Sequence, residues 1–182
     1  MQRIAARDDM SAVVRIAETV QLNVSSPDPA LFYIGFLVYT LSESQYARRL
    51  NPFFTVGGEG GATDGFLMCY ESSFLRDLVE YGSVSHQDGA VDFLAKQGGR
   101  FIFGDQIGVD PSCNHRGLGT KLMQDMFTRM RREAITTMYV TILHEPVRNE
   151  VSIAFCTKLG ATCIAEAVNQ DGLAWGIYRF EP

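Results

Sequence analysis

Residues 116–120, Arg-Gly-Leu-Gly-Thr, stand between a strand-like run at 101–109 and a run of helical periodicity, and this junction constrains the chain more than any other feature. A glycine-rich turn that opens a helix presents several backbone N–H groups with no side chains in front of them. Together with the positive end of the helix dipole, those groups make a seat for a diphosphate. The helix reads plainly: Leu118, Leu122, Met126 and Met130 form one stripe, Met123 and Phe127 lie beside it, and Lys121, Gln124, Asp125, Thr128 and Arg129 fall elsewhere.

Two common phosphate-binding patterns do not fit. A dinucleotide fingerprint needs a third glycine three residues after the second, and Leu122 occupies that place. The nucleotide-triphosphate loop needs Gly-Lys-Ser/Thr, whereas the order here is Gly119-Thr120-Lys121.

A longer ordered set surrounds the turn. Val109-Asp110-Pro111 precedes it, and Asn149, Ser152 and Phe155, then Lys158-Leu159-Gly160, follow downstream. At these separations the set resembles the GNAT superfamily of N-acetyltransferases, over roughly residues 100 to 180. The resemblance implies a single α/β domain spanning 1–182, with a mixed, mostly antiparallel sheet of about seven strands, helices on both faces, and a splayed pair formed by the fourth and fifth strands. It implies acetyl-CoA as co-substrate and transfer of the acetyl group to a primary amine, of a small molecule or a peptide, by direct attack in a ternary complex. A non-catalytic acyl-CoA-binding or sensing module is the competing expectation.

Both readings carry the same cofactor seat. The backbone of Ile107, Gly108 and Val109 would pair with the pantetheine arm as an added strand does. The amides of Arg116, Gly117, Leu118, Gly119 and Thr120 would take the diphosphate, with Arg116 and Lys121 adding charge, and Asn149 and Phe155 would lie along the arm. Gly108 is expected to remove bulk where the cofactor approaches. Asn149 reads equally as a helix cap. A homodimer is a further family-level expectation. Two positions depart from the pattern. Asn114 stands where the family has Gln or Arg, and Cys156 stands where many members have a tyrosine beside the cofactor sulfur.

Candidate acids and bases follow from the same strands. Period two along 101–109 puts Phe101, Phe103, Asp105, Ile107 and Val109 on one face. A carboxylate in an apolar row is costly unless paired or used, and burial raises its pKa toward the useful range. Asp105 is therefore the candidate general base, Glu71 the second and a water chain the third. The plain alternative for Asp105 is a carboxylate tied to a buried arginine or to backbone amides. Cys156 occupies the proton donor's position, where a thiol of ordinary pKa near 8.5 can donate or simply pack. No local signature supports an acyl-cysteine formed with His144 or His115.

Composition narrows the classes. The 182 residues suit one domain with a real core. A formal charge of −5 without a basic stripe argues against nucleic acid and is compatible with amine substrates. The N-terminus lacks the apolar stretch of a secretory signal, and the most apolar run, 30–41, is too short to span a bilayer. A cytoplasmic protein is expected, with Cys69, Cys113, Cys156 and Cys163 reduced. Neither they nor His86, His115 and His144 show metal-ligand spacing, so no metal is expected.

The remaining elements read as a short strand at 2–6, a helix to about residue 24, and a break at 25–29. A helical stretch at 30–50 follows, with Tyr33, Phe36, Leu37 and Leu41 near one face, and two strands at 52–59 and 65–71 form a hairpin. Residues 72–100 are an insertion carrying a short helix near Phe74, Leu75, Leu78 and Val79, expected to act as a lid on the acceptor site. A strand at 138–143, a helix at 150–159 capped by Asn149 and ended by Gly160, and a hairpin at 161–180 complete the chain.

Overall fold

A computed structural model of the protein describes residues 1–80, 88–113 and 116–182. Its strands are β1 (Gln2–Ile4), β2 (Phe54–Gly57), β3 (Gly65–Glu71), β4 (Ile102–Val109), β5 (Met138–Glu145), β6 (Thr162–Val168) and β7 (Ala174–Phe180). They form one sheet in the order β1-β2-β3-β4-β5-β7-β6. Every neighbouring pair is antiparallel except β4–β5, which is parallel. The helices are α1 (Met10–Thr19), α2 (Glu43–Ala47), α3 (Ser72–Glu80), α4 (Asp88–Ala95), α5 (Leu118–Arg132) and α6 (Glu150–Lys158).

The two-residue period of the central strands divides the core between the sheet's faces. Phe66, Met68 and Tyr70 of β3 pack on one side with Val13 and Ile16 of α1 and Tyr46 of α2. Leu67 and Cys69, one residue out of phase, pack on the other with Leu122, Met126 and Met130 of α5, the stripe read from sequence. A smaller cluster of Leu22, Leu31, Phe36, Leu143 and Trp175 lies beneath the segment at 34–42. Among the described residues no helix is long and apolar enough to cross a membrane.

Two features of β4 create the site. Its pairing with β5 stops after Ile102–Met138, Phe103–Tyr139 and Gly104–Val140, although both strands continue, so they splay as expected. Its register against β3 also shifts, from Met68 opposite Gln106 to Cys69 opposite Gly104, leaving Asp105 as the extra residue of a bulge. The bulge corrects the expected single face. Phe101 and Phe103 enter the α1-side core, whereas Ile107, beyond the extra residue, packs on the α5 side.

Two other expectations change. Residues 30–50 are not one helix: a 3-10 turn at Pro29–Tyr33 and the short α2 flank an irregular strap at 34–42. Gly35, at φ +80, breaks the helical path, and Leu37 instead bridges to Gln21 in a strand-like contact. The apolar spacing there reflects burial of an irregular segment, and Tyr33 is 82% exposed rather than sharing a face with Phe36. The insertion at 72–100 folds into two helices. Leu75 of α3 and Ala90 and Leu94 of α4 join the α1-side core, and Gly89 approaches β6 so closely that a Cβ would lie 2.6 Å from the Val168 carbonyl oxygen. None of the described residues of 72–100 lines either cavity described below, and Leu75, Ala90 and Leu94 cap a core. Residues 81–87, including His86, lie outside the described residues.

Candidate active site

The glycine turn opens α5 as its residues require. Gly117, at φ +73, takes a left-handed conformation that a side chain would strain, and its carbonyl accepts the first helical bond from Lys121 N (3.0 Å). The amides of Leu118, Gly119 and Thr120 precede that bond and have no intrahelical acceptor. Arg116, 60% exposed, makes a 3.8 Å contact with Glu59, a weak pairing that leaves its charge at the turn. Asn114 and His115 lie outside the described residues.

A Cβ on Gly119 would sit 3.7 Å from the Phe155 ring and 3.8 Å from Ile107, and both residues line a cavity of about 130 Å³ in the splay between β4 and β5. Its floor is Leu67, Met123 and Cys156; its far wall is Phe36, Leu37, Tyr39, Leu41 and Trp175. Asp105, Gln106 and Arg49 supply polar groups between them. The cavity lining therefore holds both the side chains that lie against Gly119 and the bulged carboxylate.

Asp105 is half-buried and lines the cavity. Burial raises its pKa above the ordinary value, opposed by a bond from the Tyr70 hydroxyl to Oδ2 (2.8 Å) and by the charge of Arg49. Arg49 is 5% exposed and donates to the Gln45 carbonyl (3.0 Å). Gln106 is clamped too, accepting from the Tyr46 hydroxyl (2.7 Å) and donating to the Tyr39 carbonyl (2.8 Å). Sequence reasoning missed Tyr70, Arg49, Gln106 and Tyr39. Nothing in their local spacing marks them, because the bulge and the strap are what bring them together.

The other candidates separate. Glu71 lines neither cavity and is held by Arg100 through two bonds of 2.7 and 3.2 Å, which corrects its candidacy as a base. Asn149 stays in the cavity lining, where its carboxamide accepts from Ser152 N (3.2 Å) to cap α6 and donates to the Phe36 carbonyl (2.9 Å) to tie down the strap. A Cβ on Gly108 would lie 2.6 Å from the Phe66 ring and 3.2 Å from Ile16, so its small size serves the α1-side core and not the cofactor's approach. His144 uses Nδ1 on Glu166 (2.6 Å) and Nε2 on the Tyr178 hydroxyl (3.0 Å), which leaves no ring nitrogen to activate Cys156.

Cys156 does line the cavity, but burial pushes its thiol up to about 12. Donation would leave a buried thiolate behind, which desolvation disfavours. The expected proton donor is thus disfavoured by the burial that places it there. Among the described residues no group of three or more His, Cys, Asp or Glu could hold a metal ion.

The fold is similar to that of Ard1 from Thermoplasma volcanium (TM-score 0.66, 15% identity, covering 100% of this chain and 96% of that one). It is equally similar to a Drosophila melanogaster polyamine N-acetyltransferase that catalyses the formation of N-acetylagmatine (TM-score 0.66, 14% identity, covering 100% and 99%). A third likeness is to yncA from Salmonella typhimurium with its cofactor acetyl-CoA (TM-score 0.62, 16% identity, covering 100% and 92%). No curated protein sequence matches. Residues 33–161 match the family model described as Acetyltransferase (GNAT) family. Because that match takes in the strap, the splayed strands, the glycine turn and α6, the chain belongs to the GNAT acetyltransferase family.

Proposed function

We propose that the protein transfers an acetyl group from acetyl-CoA to a primary amine in a ternary complex, with Asp105 as general base. One juxtaposition supports the reading: the cavity is lined both by Ile107 and Phe155, which lie against Gly119 at the α5 mouth, and by a carboxylate whose pKa burial has raised. The amides at 116–120 would hold the cofactor's diphosphate, and the unpaired edge of β4 at Ile107, Gly108 and Val109 would pair with the pantetheine arm. The likeness to yncA, which carries acetyl-CoA, supports that placement.

The chemistry needs few groups. Asp105 takes a proton from the ammonium form of the acceptor, and the amine nitrogen attacks the thioester carbonyl. The attacking nitrogen loses its second proton to water, the C–S bond breaks, and the sulfur leaves as a thiolate that is protonated from solvent, giving the acetamide and free CoA thiol. Holding the two reactants in line supplies about 7 to 11 kcal/mol in favourable cases, so placement does most of the work. Cys156 is assigned to the cavity floor, without proton transfer.

A non-catalytic acyl-CoA module remains the second reading, favoured only by the missing proton donor at Cys156. Amine-dependent release of CoA thiol separates the two. Gly119→Glu tests both, since bulk and negative charge at the helix mouth should weaken CoA binding by at least about 100-fold by calorimetry. Intact CoA affinity in that variant would remove the placement under either reading.

A further inference from the structure

Beyond the inner cavity lies a second hollow of about 830 Å³, and the two share only Val38 and Tyr39 in their linings. The outer hollow's charged lining residues are Glu18, Glu145 and Asp171, with no basic residue among those described. Its field attracts cations.

Tyr39 is held unequally. Its backbone is fixed, because its carbonyl accepts from Gln106 (2.8 Å) and the neighbouring Leu37 exchanges backbone bonds with Val20 (2.9 Å) and Leu22 (2.8 Å). Its ring stacks on Trp175 with centroids 6.1 Å apart at 27°. Its hydroxyl, by contrast, reaches Asp171 at 3.3 Å and receives Asn169 at 3.5 Å, both long for hydrogen bonds. Through these bonds the phenol ties the strap at 34–42 to the β6–β7 turn, at the joint of the two linings.

We propose that Tyr39 is the specificity-determining gate between the two hollows, and that the acceptor is a slender, unbranched free amine carrying positive charge, such as a diamine. A peptide N-terminus brings a side chain and a carbonyl directly behind its nitrogen, and that bulk meets the latched phenol. The inference rests on the transferase reading above.

The test measures CoA thiol release with 1,4-diaminobutane, a short lysine-free peptide with a free N-terminus, and an N-blocked lysine peptide, alongside calorimetry of acetyl-CoA. The natural protein should favour the diamine over either peptide by about 10-fold or more in kcat/KM. Tyr39→Ala should narrow that ratio by about 10-fold, through the acceptor KM, with the acetyl-CoA KM unchanged within about two-fold. Tyr39→Phe keeps the stack on Trp175 and loses both latching bonds, so it guards against misfolding and should narrow the ratio by about three-fold. A preference for either peptide, or a ratio unmoved in both variants, overturns the gate while leaving the transferase standing. Acetyl-CoA binding without thiol release from any amine overturns the transferase reading, and the gate with it.

Discussion

Asp9 and Asp105 are both enclosed by protein, each facing an arginine and a hydroxyl, yet their acidities move in opposite directions. Asp9 is reached by four donors: Arg3 at 2.6 Å on each carboxylate oxygen, Thr63 at 2.7 Å and the Ala6 amide at 2.8 Å. The bonds from Arg3 are the largest influence, and its pKa falls to about 2. Asp105 receives a bond from Tyr70 and feels the charge of Arg49, but burial outweighs both, and its pKa rises. The difference lies in the balance of the two influences: four donors outweigh desolvation at Asp9, whereas desolvation outweighs one bond and one charge at Asp105. Asp9 fastens β1 to the start of α1; Asp105 sits on a bulge, where regular pairing is interrupted and a cavity opens beside it.

The largest expected effect comes from removing the second carboxylate. Asp105→Asn should lower kcat/KM by about 10²- to 10⁴-fold, as loss of a positioned base does, with acetyl-CoA binding unchanged. The pH profile sharpens the point. A base with a raised pKa works only above it, so activity in the natural protein should climb with pH beyond the ordinary carboxylate range. A wild-type rate flat with pH from the ordinary carboxylate range upward would deny Asp105 the role.

Stability separates the two carboxylates by sign. A lowered folded pKa contributes stability that is present above the unfolded value and lost as pH falls toward about 2. Asp9→Asn should therefore cost up to about 2 kcal/mol near neutrality, less where solvent screens the half-exposed Arg3, and progressively less in acid. A raised folded pKa does the reverse: stability is fully present below the unfolded value and lost as pH rises through the folded one. Asp105→Asn should accordingly gain on the natural protein as pH rises. Denaturant titrations of both variants across pH would show opposite slopes, and parallel slopes would break the contrast.

What sequence could reveal follows the same division. The α5 stripe and the glycine turn were legible, because each depends on local periodicity or on a backbone conformation that glycine alone favours, whereas the splayed strands followed only from the family resemblance. Asp105 was legible as an acid in an apolar row, but its neighbours were not. The bulge moves Ile107 to the opposite side from Phe103, and no residue of 101–109 announces that shift. The strap at 34–42 misled for a related reason. Its apolar residues are buried by tertiary contacts, so their spacing imitates a helix that Gly35 prevents. Tyr70 looked like any core aromatic of β3 until Asp105 was placed against its hydroxyl.

Tyr70→Phe produces the smallest effect and the finest test of the contrast. The ring stays stacked on Phe74, with centroids 5.5 Å apart, so the loss is one hydroxyl, costing about 1 kcal/mol of stability. That hydroxyl donates to Asp105 and favours its charged form, so without it the carboxyl should hold its proton to higher pH. The acid limb of kcat/KM should move upward, with rates on that limb falling by up to about 10-fold and the plateau little changed. A purely structural tyrosine would lower the whole profile without moving its limb. If Tyr70→Phe leaves the limb where it stands while Asp105→Asn abolishes it, the phenol packs beside the base without tuning it, and burial alone sets the acidity of Asp105.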